Sequence, residues 1–484
     1  MEVFSVRRFT FRGGVHPYDG KELTAEKPVR VLDPGAELAF LLSQHIGAPA
    51  VPVVKKGDRV LVGQMIAQAG GFVSAPVFSS VAGTVKGIEK RRSAPGHLVD
   101  AVIVKNDQTW ECAGFEALPG MDAYSAAFGE DAKPGRGSCD MKAHEAAAVL
   151  ETVRPDEILA GLESAQVLQR IREAGVVGMG GAGFPTHVKL SPSDPEKIDY
   201  ILVNGSECEP YVTCDYRLMC DRPGELIAGL KAVLKLFGQV KGVFCVEDNK
   251  PKAIEVLQAA LAQEENIYVA PCRTKYPEGA ERSLIKAITR RDVNSKMLPA
   301  DAGCIVVNVS TLHAIFEAVY LGRPDYRRIL TLSGDAVAAP GNFLVSTGMY
   351  YREIIDRAGG FVQMPEKLIS GGPMMGFAQG SMEGVVTKTS SALTAFTYDL
   401  VSREKETACI NCGRCVDACP AHLVPSHLAD MAAKRRLEQF EEHDGLECVN
   451  CGSCSWSCPA KRPLAALINQ GRQTLLAQKR KARK

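Results

Sequence analysis

The apolar positions change their period several times along the chain. Between residues 29 and 105 they alternate in short runs. Val51-Pro52-Val53-Val54 and Val60-Leu61-Val62 flank the Lys56-Gly57-Asp58 turn, and Met65-Ile66-Ala67, Val77 and Val81-Ala82-Gly83-Thr84-Val85 repeat the style. A period of two with glycine turns predicts short strands. Residues Glu163 to Ala174 put Ala165, Leu168 and Ile171 on one helical face. From 225 to 330 the two periods alternate. Val243–Val246, Ile267–Ala270 and Cys304–Val309 read as strands, and Pro251–Ala262 and Ser310–Leu321 read as helices. Such alternation predicts an α/β fold with a mainly parallel sheet. Leu330-Thr331-Leu332, Gly341-Asn342-Phe343 and a helix from Tyr351 to Ala358, stopped by Gly359-Gly360, predict a smaller β module. A last helix spans Pro463 to Ala477. Residues 112–150 are rich in Gly, Ala and Asp without a period, and read as a linker.

Composition narrows the class. The chain has 484 residues, enough for about three domains. Hydrophobic content of 46% and charged content of 23% are those of a soluble globular protein. A net charge of +1 gives no reason to expect a nucleic-acid partner. No run of eighteen apolar residues predicts a membrane span, and the first residues lack the apolar segment of a signal peptide. Lys479 to Lys484 place five basic residues in the last six. They read as a frayed tail or as a contact for anionic lipid or an acidic partner.

Sixteen cysteines are present. Eight of them form two runs. Cys409, Cys412, Cys415 and Cys419-Pro420 repeat as Cys448, Cys451, Cys454 and Cys458-Pro459. Each run fits C-x2-C-x2-C-x3-C-P, the spacing of a bacterial ferredoxin with two [4Fe–4S] clusters. Three thiolates two residues apart wrap one cubane, and the fourth points to the other. The expected ligand sets are Cys409, Cys412, Cys415 and Cys458, and Cys448, Cys451, Cys454 and Cys419. Zinc uses four ligands rather than two matched quartets, and disulfides suit small secreted domains. Cys112, Cys139, Cys208, Cys214, Cys220, Cys245, Cys272 and Cys304 are scattered and read as free thiols. Clusters move single electrons, so the rest of the chain must supply a donor, an acceptor or both.

Two further stretches carry chemistry. Gly178-Met179-Gly180-Gly181-Ala182-Gly183-Phe184-Pro185-Thr186-His187-Val188-Lys189 frees backbone N–H groups for a ligand, and Lys189 adds charge. It follows a helix rather than a strand, so it is not a Rossmann fingerprint. An apolar strand then runs into Asn204-Gly205-Ser206-Glu207-Cys208-Glu209-Pro210, placing carboxylates where α/β domains bind ligands. Tyr276-Pro277-Glu278-Gly279 reads as a turn at the pocket edge or on the surface. His16 reads as a packed or capping residue, and the methionines of Gly372-Pro373-Met374-Met375 read as packing residues.

These motifs carry a resemblance. G-x-G-G-A-G-F-P-T-x-x-K followed by N-x-x-E-x-E-P is similar to the flavin and NADH site of the flavoprotein subunit of respiratory complex I. Residues 29–105 resemble biotinyl and lipoyl domains, although their carrier hairpin, Gln68 to Val73, has no lysine. In motifs and domain order the whole chain resembles the C subunits of Rnf electron-transport complexes. The resemblance implies a multidomain α/β and β protein. Its parts are a barrel-sandwich hybrid (1–110), a linker (111–150), a complex I-type α/β FMN/NADH domain (151–326), a β-grasp SLBB module (327–398), an α-helical double [4Fe–4S] ferredoxin domain (399–470) and a basic tail (471–484). Gly178, Gly180, Gly181, Gly183 and Lys189 would hold the flavin phosphate. Asn204, Glu207 and Glu209 would face the flavin ring and nicotinamide, with the two carboxylates as the catalytic pair. His187 stands where complex I proteins carry glycine. The implied activity is electron transfer between NAD(H), FMN and two [4Fe–4S] clusters, coupling ferredoxin:NAD+ oxidoreduction to Na+ or H+ transport. The implied partners are the other Rnf subunits, membrane-embedded and ferredoxin-like, on the cytoplasmic face of the membrane. A soluble NADH-dependent reductase of the cobalamin-reductase type shares these modules, but its barrel-sandwich segment is C-terminal. A non-catalytic iron–sulfur adaptor is the third expectation.

Overall fold

A computed structural model describes residues 8–128, 149–150 and 152–482. Its centre is a four-stranded parallel sheet in the order Ile267–Cys272, Lys241–Glu247, Tyr200–Gly205, Cys304–Asn308. Both faces are covered, which explains the continuous apolar runs. Ile201, Val203, Phe244, Val246, Ile305 and Val307 pack under the helices Cys214–Asp221, Pro223–Leu234 and Val309–Leu321. Leu202, Val243, Cys245 and Val306 point the other way, against the helix Glu281–Thr289 and Phe9.

A six-stranded mixed sheet follows in the order Val29–Val31, Gly341–Ser346, Arg327–Ser333, Ala392–Phe396, Lys367–Ser370, Phe377–Gln379. Its edge strand comes from the N-terminal part of the chain and runs parallel to Gly341–Ser346. The barrel-sandwich residues form two antiparallel sheets. One has the order Glu37–Leu41, Leu98–Asn106, Gly83–Arg92, Arg59–Val60, and the other Val51–Pro52, Met65–Gln68, Val77–Phe78. Phe40, Val60, Ile66 and Val102 share one core with Leu330, Leu332, Phe343 and Ile354. The barrel and the β-grasp module therefore have a common interior.

The structure differs from the sequence expectation in three places. Residues 8–24 leave the barrel and lie across the α/β domain, where Phe9 bridges Cys272 and Val15 bridges Tyr276. The start of the expected linker is packed: Leu118, Met121 and Tyr124 are buried, with the Tyr124 ring edge-on to Phe316 at 5.7 Å. Residues 129–148, including Cys139, lie outside the described residues. The expected frayed tail is helical through Ala482, because Leu464–Ala482 packs Leu464, Ile468 and Leu475 against Leu428 and Phe440, and Lys479 pairs with Glu441. Among the described residues no helix is long and apolar enough to cross a membrane.

Candidate functional site

The glycine loop leaves the helix Ser164–Glu173 and folds back on itself through Gly178 N–H donating to the Phe184 carbonyl (2.8 Å). Met179 N–H donates to Thr311 Oγ1 (3.0 Å). Among the described residues, no protein group accepts from the N–H groups of Gly180, Gly181, Ala182 and Gly183 in hydrogen-bond geometry. Four consecutive free donors form the kind of concavity that binds phosphate. Gly180 and Gly183 are required for space. A Cβ at Gly180 would lie 3.1 Å from Asn308 Cβ, and one at Gly183 (φ +69°) would lie 3.0 Å from the Gln44 carbonyl and from His45 Cα. A barrel loop thus walls the nest. Gly181 faces open space.

Asn308 joins this nest to the acidic loop. It lies beside Asn204 across the parallel strand pair and caps the helix Val309–Leu321, with Ser310 N–H donating to its Oδ1 (2.9 Å). Its Nδ2 donates to Asp215 Oδ2 (2.6 Å), and Ser310 Oγ donates to Asp215 Oδ1 (2.6 Å). Asn308, Ser310, Thr311 and Asp215 were not singled out from sequence. The available signal was Asn-Val-Ser-Thr where a strand ends and a helix begins, which is both a cap and a ligand position.

The sequence-selected polar residues are held by backbone partners. Asn204 Nδ2 donates to the Gly279 carbonyl (2.8 Å). Glu207, with a strained φ of +46°, accepts from Asp215 N–H (2.7 Å) and Tyr216 N–H (3.2 Å), capping the helix Cys214–Asp221. Glu209 accepts from Met374 N–H (3.1 Å) and Met375 N–H (2.7 Å). Burial pushes the Glu209 carboxyl up to about 7 and raises that of Glu207 as well. Lys189 is not directed at the nest: its Nζ donates to Glu281 Oε1 (3.0 Å) and the Val306 carbonyl (3.1 Å). His187 is half-buried, and desolvation followed by Arg172 lowers its pKa. His16 is exposed rather than packed.

Two buried lysines shape the acidic loop. Lys21 Nζ donates to the carbonyls of Glu207 (2.9 Å), Glu209 (3.0 Å) and Val212 (2.6 Å). Lys250 Nζ reaches the Ser206 carbonyl (2.5 Å) and Glu247 Oε2 (3.2 Å). An ammonium with three donors can order three carbonyls at once.

The Tyr276 to Gly279 turn and the N-terminal segment touch the cysteine runs, and the same turn reaches the acidic loop at Cys208. Tyr276 OH donates to the Cys451 carbonyl (2.7 Å), Gly14 N–H donates to the Ala418 carbonyl (3.0 Å), and Gly279 N–H donates to Cys208 Sγ (3.4 Å). Val15, Tyr276, Cys208, Met374, Val449 and Cys451 form one apolar junction. Burial raises Cys419 to about 11 and Cys454 to about 12. Cys448 and Cys451 act electrostatically on both thiols, and Cys419 acts on Cys454. These four therefore share one locale, as the expected donor set of a cubane requires. Cys415 and Cys458 pack beside them in the ferredoxin core, and Cys409 and Cys412 are exposed. Among the described residues no three such groups converge on a single ion; in a cubane each thiolate takes its own iron.

Comparison with known proteins places these parts. Family models match as RnfC barrel sandwich hybrid domain (residues 9–109), Nuo51 FMN-binding domain (171–317), SLBB domain (329–378) and 4Fe-4S dicluster domain (397–462). The free N–H nest suits the FMN phosphate, and the eight cysteines suit two [4Fe–4S] clusters. The chain is 39% identical over 477 residues to the C subunit of the Na(+)-translocating ferredoxin:NAD(+) oxidoreductase complex of Acetobacterium woodii, covering 99% of both chains. It is 40% identical to the proton-translocating counterpart of Clostridium ljungdahlii, over 90% of this chain and 87% of that one. It is 37% identical to the C subunit of the ion-translocating oxidoreductase complex of Rhodobacter capsulatus, over 87% and 75%. With this domain order and near-complete coverage, the chain belongs to the family of C subunits of ion-translocating ferredoxin:NAD+ oxidoreductase (Rnf) complexes.

Proposed function

We propose that this chain is the peripheral NAD(H)-reactive subunit of an Rnf-type complex. It passes electrons between NAD(H) and an iron–sulfur relay while membrane-embedded partners move Na+ or H+. Its place is the cytoplasmic side of the membrane, beside those partners and a ferredoxin-like subunit. The names of its relatives and the flavin and dicluster domains support this reading. The observation that carries it is a continuous chain of contacts: Gly180 to Asn308, Asn308 to Asn204, Asn204 to Gly279, and the same turn through Tyr276 to Cys451.

When bound, the flavin exchanges a hydride for single electrons and the clusters carry those electrons one at a time. The protein's part is binding, orientation and exclusion of water. The N–H groups of Gly180, Gly181, Ala182 and Gly183 bind the phosphate. Gly178 fixes the loop's return, and Lys189 braces it through Glu281. Asn204 orders the Gly279 turn, and Glu207 and Glu209 hold the acidic loop shut against Cys214–Asp221 and Met374-Met375. A Glu209 carboxyl near 7 can hold or release a proton at working pH, which suits a site where hydride chemistry consumes and liberates protons. The Val15, Tyr276 and Met374 junction keeps water from the path to Cys451. Cys448, Cys451, Cys454 and Cys419 form the inner ligand set, and Cys409, Cys412, Cys415 and Cys458 the outer one.

The test is anaerobic reconstitution with FMN and iron–sulfur clusters, followed by NADH. The expected result is one FMN per chain, bleached by NADH together with the cluster absorbance. Protein that binds no flavin and shows no NADH:ferricyanide activity would leave only an adaptor role.

A further inference from the structure

Three domains meet under the glycine loop. The loop's two arms join where Val177 bridges Pro185 and Thr186 N–H donates to the Val176 carbonyl (3.0 Å). The turn 387–390, between the strands Phe377–Gln379 and Ala392–Phe396, touches both arms. A Cβ at Gly183 would lie 2.9 Å from Thr389 Cγ2. Lys388 Nζ donates to the Gly175 carbonyl (2.7 Å), where the loop leaves its helix, and to the Pro76 carbonyl of the barrel (2.9 Å). Lys388 N–H donates to Gln44 Oε1 (2.9 Å), and the Gln44 carbonyl is the one that walls Gly183. This one residue thus ties the start of the loop to two barrel segments, one of which borders the nest.

Lys388 is 1% exposed, and its ammonium stands 5.4 Å from the centre of the Phe78 ring and 3.9 Å from Asp325 Oδ2. A buried charge is costly unless it is paired. Here the Asp325 carboxylate stays beyond hydrogen-bond distance, and a neutral donor would serve two carbonyls at a lower desolvation cost. Burial lowers the Lys388 pKa and Asp325 raises it. An anion seated in the nest would act in the same sense as Asp325. Lys189, the cation expected from the sequence, gives its donors to Glu281 and Val306 instead. We propose that Lys388 is a positioning residue for the flavin phosphate: its buried ammonium fixes the loop so that the N–H groups of Gly180 to Gly183 converge, and supplies the positive charge behind them. A buried charge is screened far less than an exposed one, so it acts across the width of the loop. The barrel and the β-grasp module are then parts of the flavin site. The proposal rests on the flavin-binding reading above.

The test uses the full-length, cluster-loaded chain freed of flavin. It is titrated with FMN and with riboflavin, which lacks the phosphate, and quenching of flavin fluorescence reads both. Lys388→Met should weaken FMN binding about tenfold or more and leave riboflavin within about twofold of the wild type. Equal loss for both flavins, as from a chain that has merely loosened, overturns the proposal. So does a variant that keeps the wild-type preference for FMN. If Lys388→Met fails to fold, hydrogen exchange of the wild-type chain decides. FMN should slow exchange at 44–48 and 387–390 as well as in the glycine loop, and riboflavin should not. Slowing confined to the glycine loop, or the same slowing with riboflavin, refutes the role of Lys388. Wild-type protein that binds neither flavin would sink the functional reading instead, before any variant is made.

Discussion

Glu278 offers a prediction whose size follows from its surroundings. It lies between Tyr276, which touches the Cys451 loop, and Gly279, which touches Asn204. It is fully buried, and among the described residues no group meets strict hydrogen-bond geometry with either carboxyl oxygen, the Cys272 thiol being its nearest donor. Glu247, Lys275 and the Cys272 thiol face it, with Cys245 nearby. Burial, followed by repulsion from Glu247, pushes its pKa from 4.5 up to about 9. The native state therefore keeps a proton that the unfolded chain loses above pH 4.5. Stability supplied by that protonated form is full below pH 4.5 and drains away up to about pH 9, at about 1.4 kcal/mol per pH unit. At pH 7, 2.5 units above the unfolded value, the loss is about 3 kcal/mol. Glutamine has the same shape and no proton to lose. Glu278→Gln should match the wild type near pH 4.5 in urea unfolding, gain about 3 kcal/mol at pH 7 and gain more at pH 9. A stability difference that stays constant from pH 5 to 9 would refute the reasoning, since only a titrating group gives the slope.

Other outcomes follow from the same geometry. Gly183→Ala adds a Cβ 2.9 Å from Thr389 Cγ2 and strains a φ of +69°, so flavin retention should fall about tenfold or more, whereas Gly181→Ala, facing open space, should keep its flavin; the flavin-to-protein ratio after gel filtration reads both. Lys21→Met leaves the Glu207, Glu209 and Val212 carbonyls without their donor and should cost about 2–4 kcal/mol in urea unfolding, with weaker flavin binding because the acidic loop loosens.

What the sequence made legible was local. The cysteine spacing announces clusters because a single loop wraps each one, so the chemistry is written within a dozen residues. The parallel sheet was legible because two-sided burial forces unbroken runs such as Ile201-Leu202-Val203. What stayed hidden depends on distant segments meeting. Lys21 carries no local signal of its role, which appears only when residues 8–24 cross the α/β domain to the carbonyls of 207–212. Val29–Val31 gives no sign that its partner is Gly341–Ser346. Lys189 fitted a phosphate contact by position, yet the mid-strand carbonyl of Val306 and the carboxylate of Glu281 at a helix start accept its N–H groups instead. Which cysteine half faces the flavin site is likewise set by Val15, Tyr276 and Met374, far from either run.

On the proposed route, electrons pass from the flavin site through the Cys451 half to the Cys412 half. Rapid-freeze electron paramagnetic resonance of holoprotein mixed with NADH, in Cys451→Ser and Cys412→Ser variants, tests that order directly. Cys412→Ser should leave the inner cluster reduced at the wild-type rate, and Cys451→Ser should stop NADH from reducing the outer cluster it still contains. Outer-cluster reduction at the wild-type rate in Cys451→Ser would contradict the route.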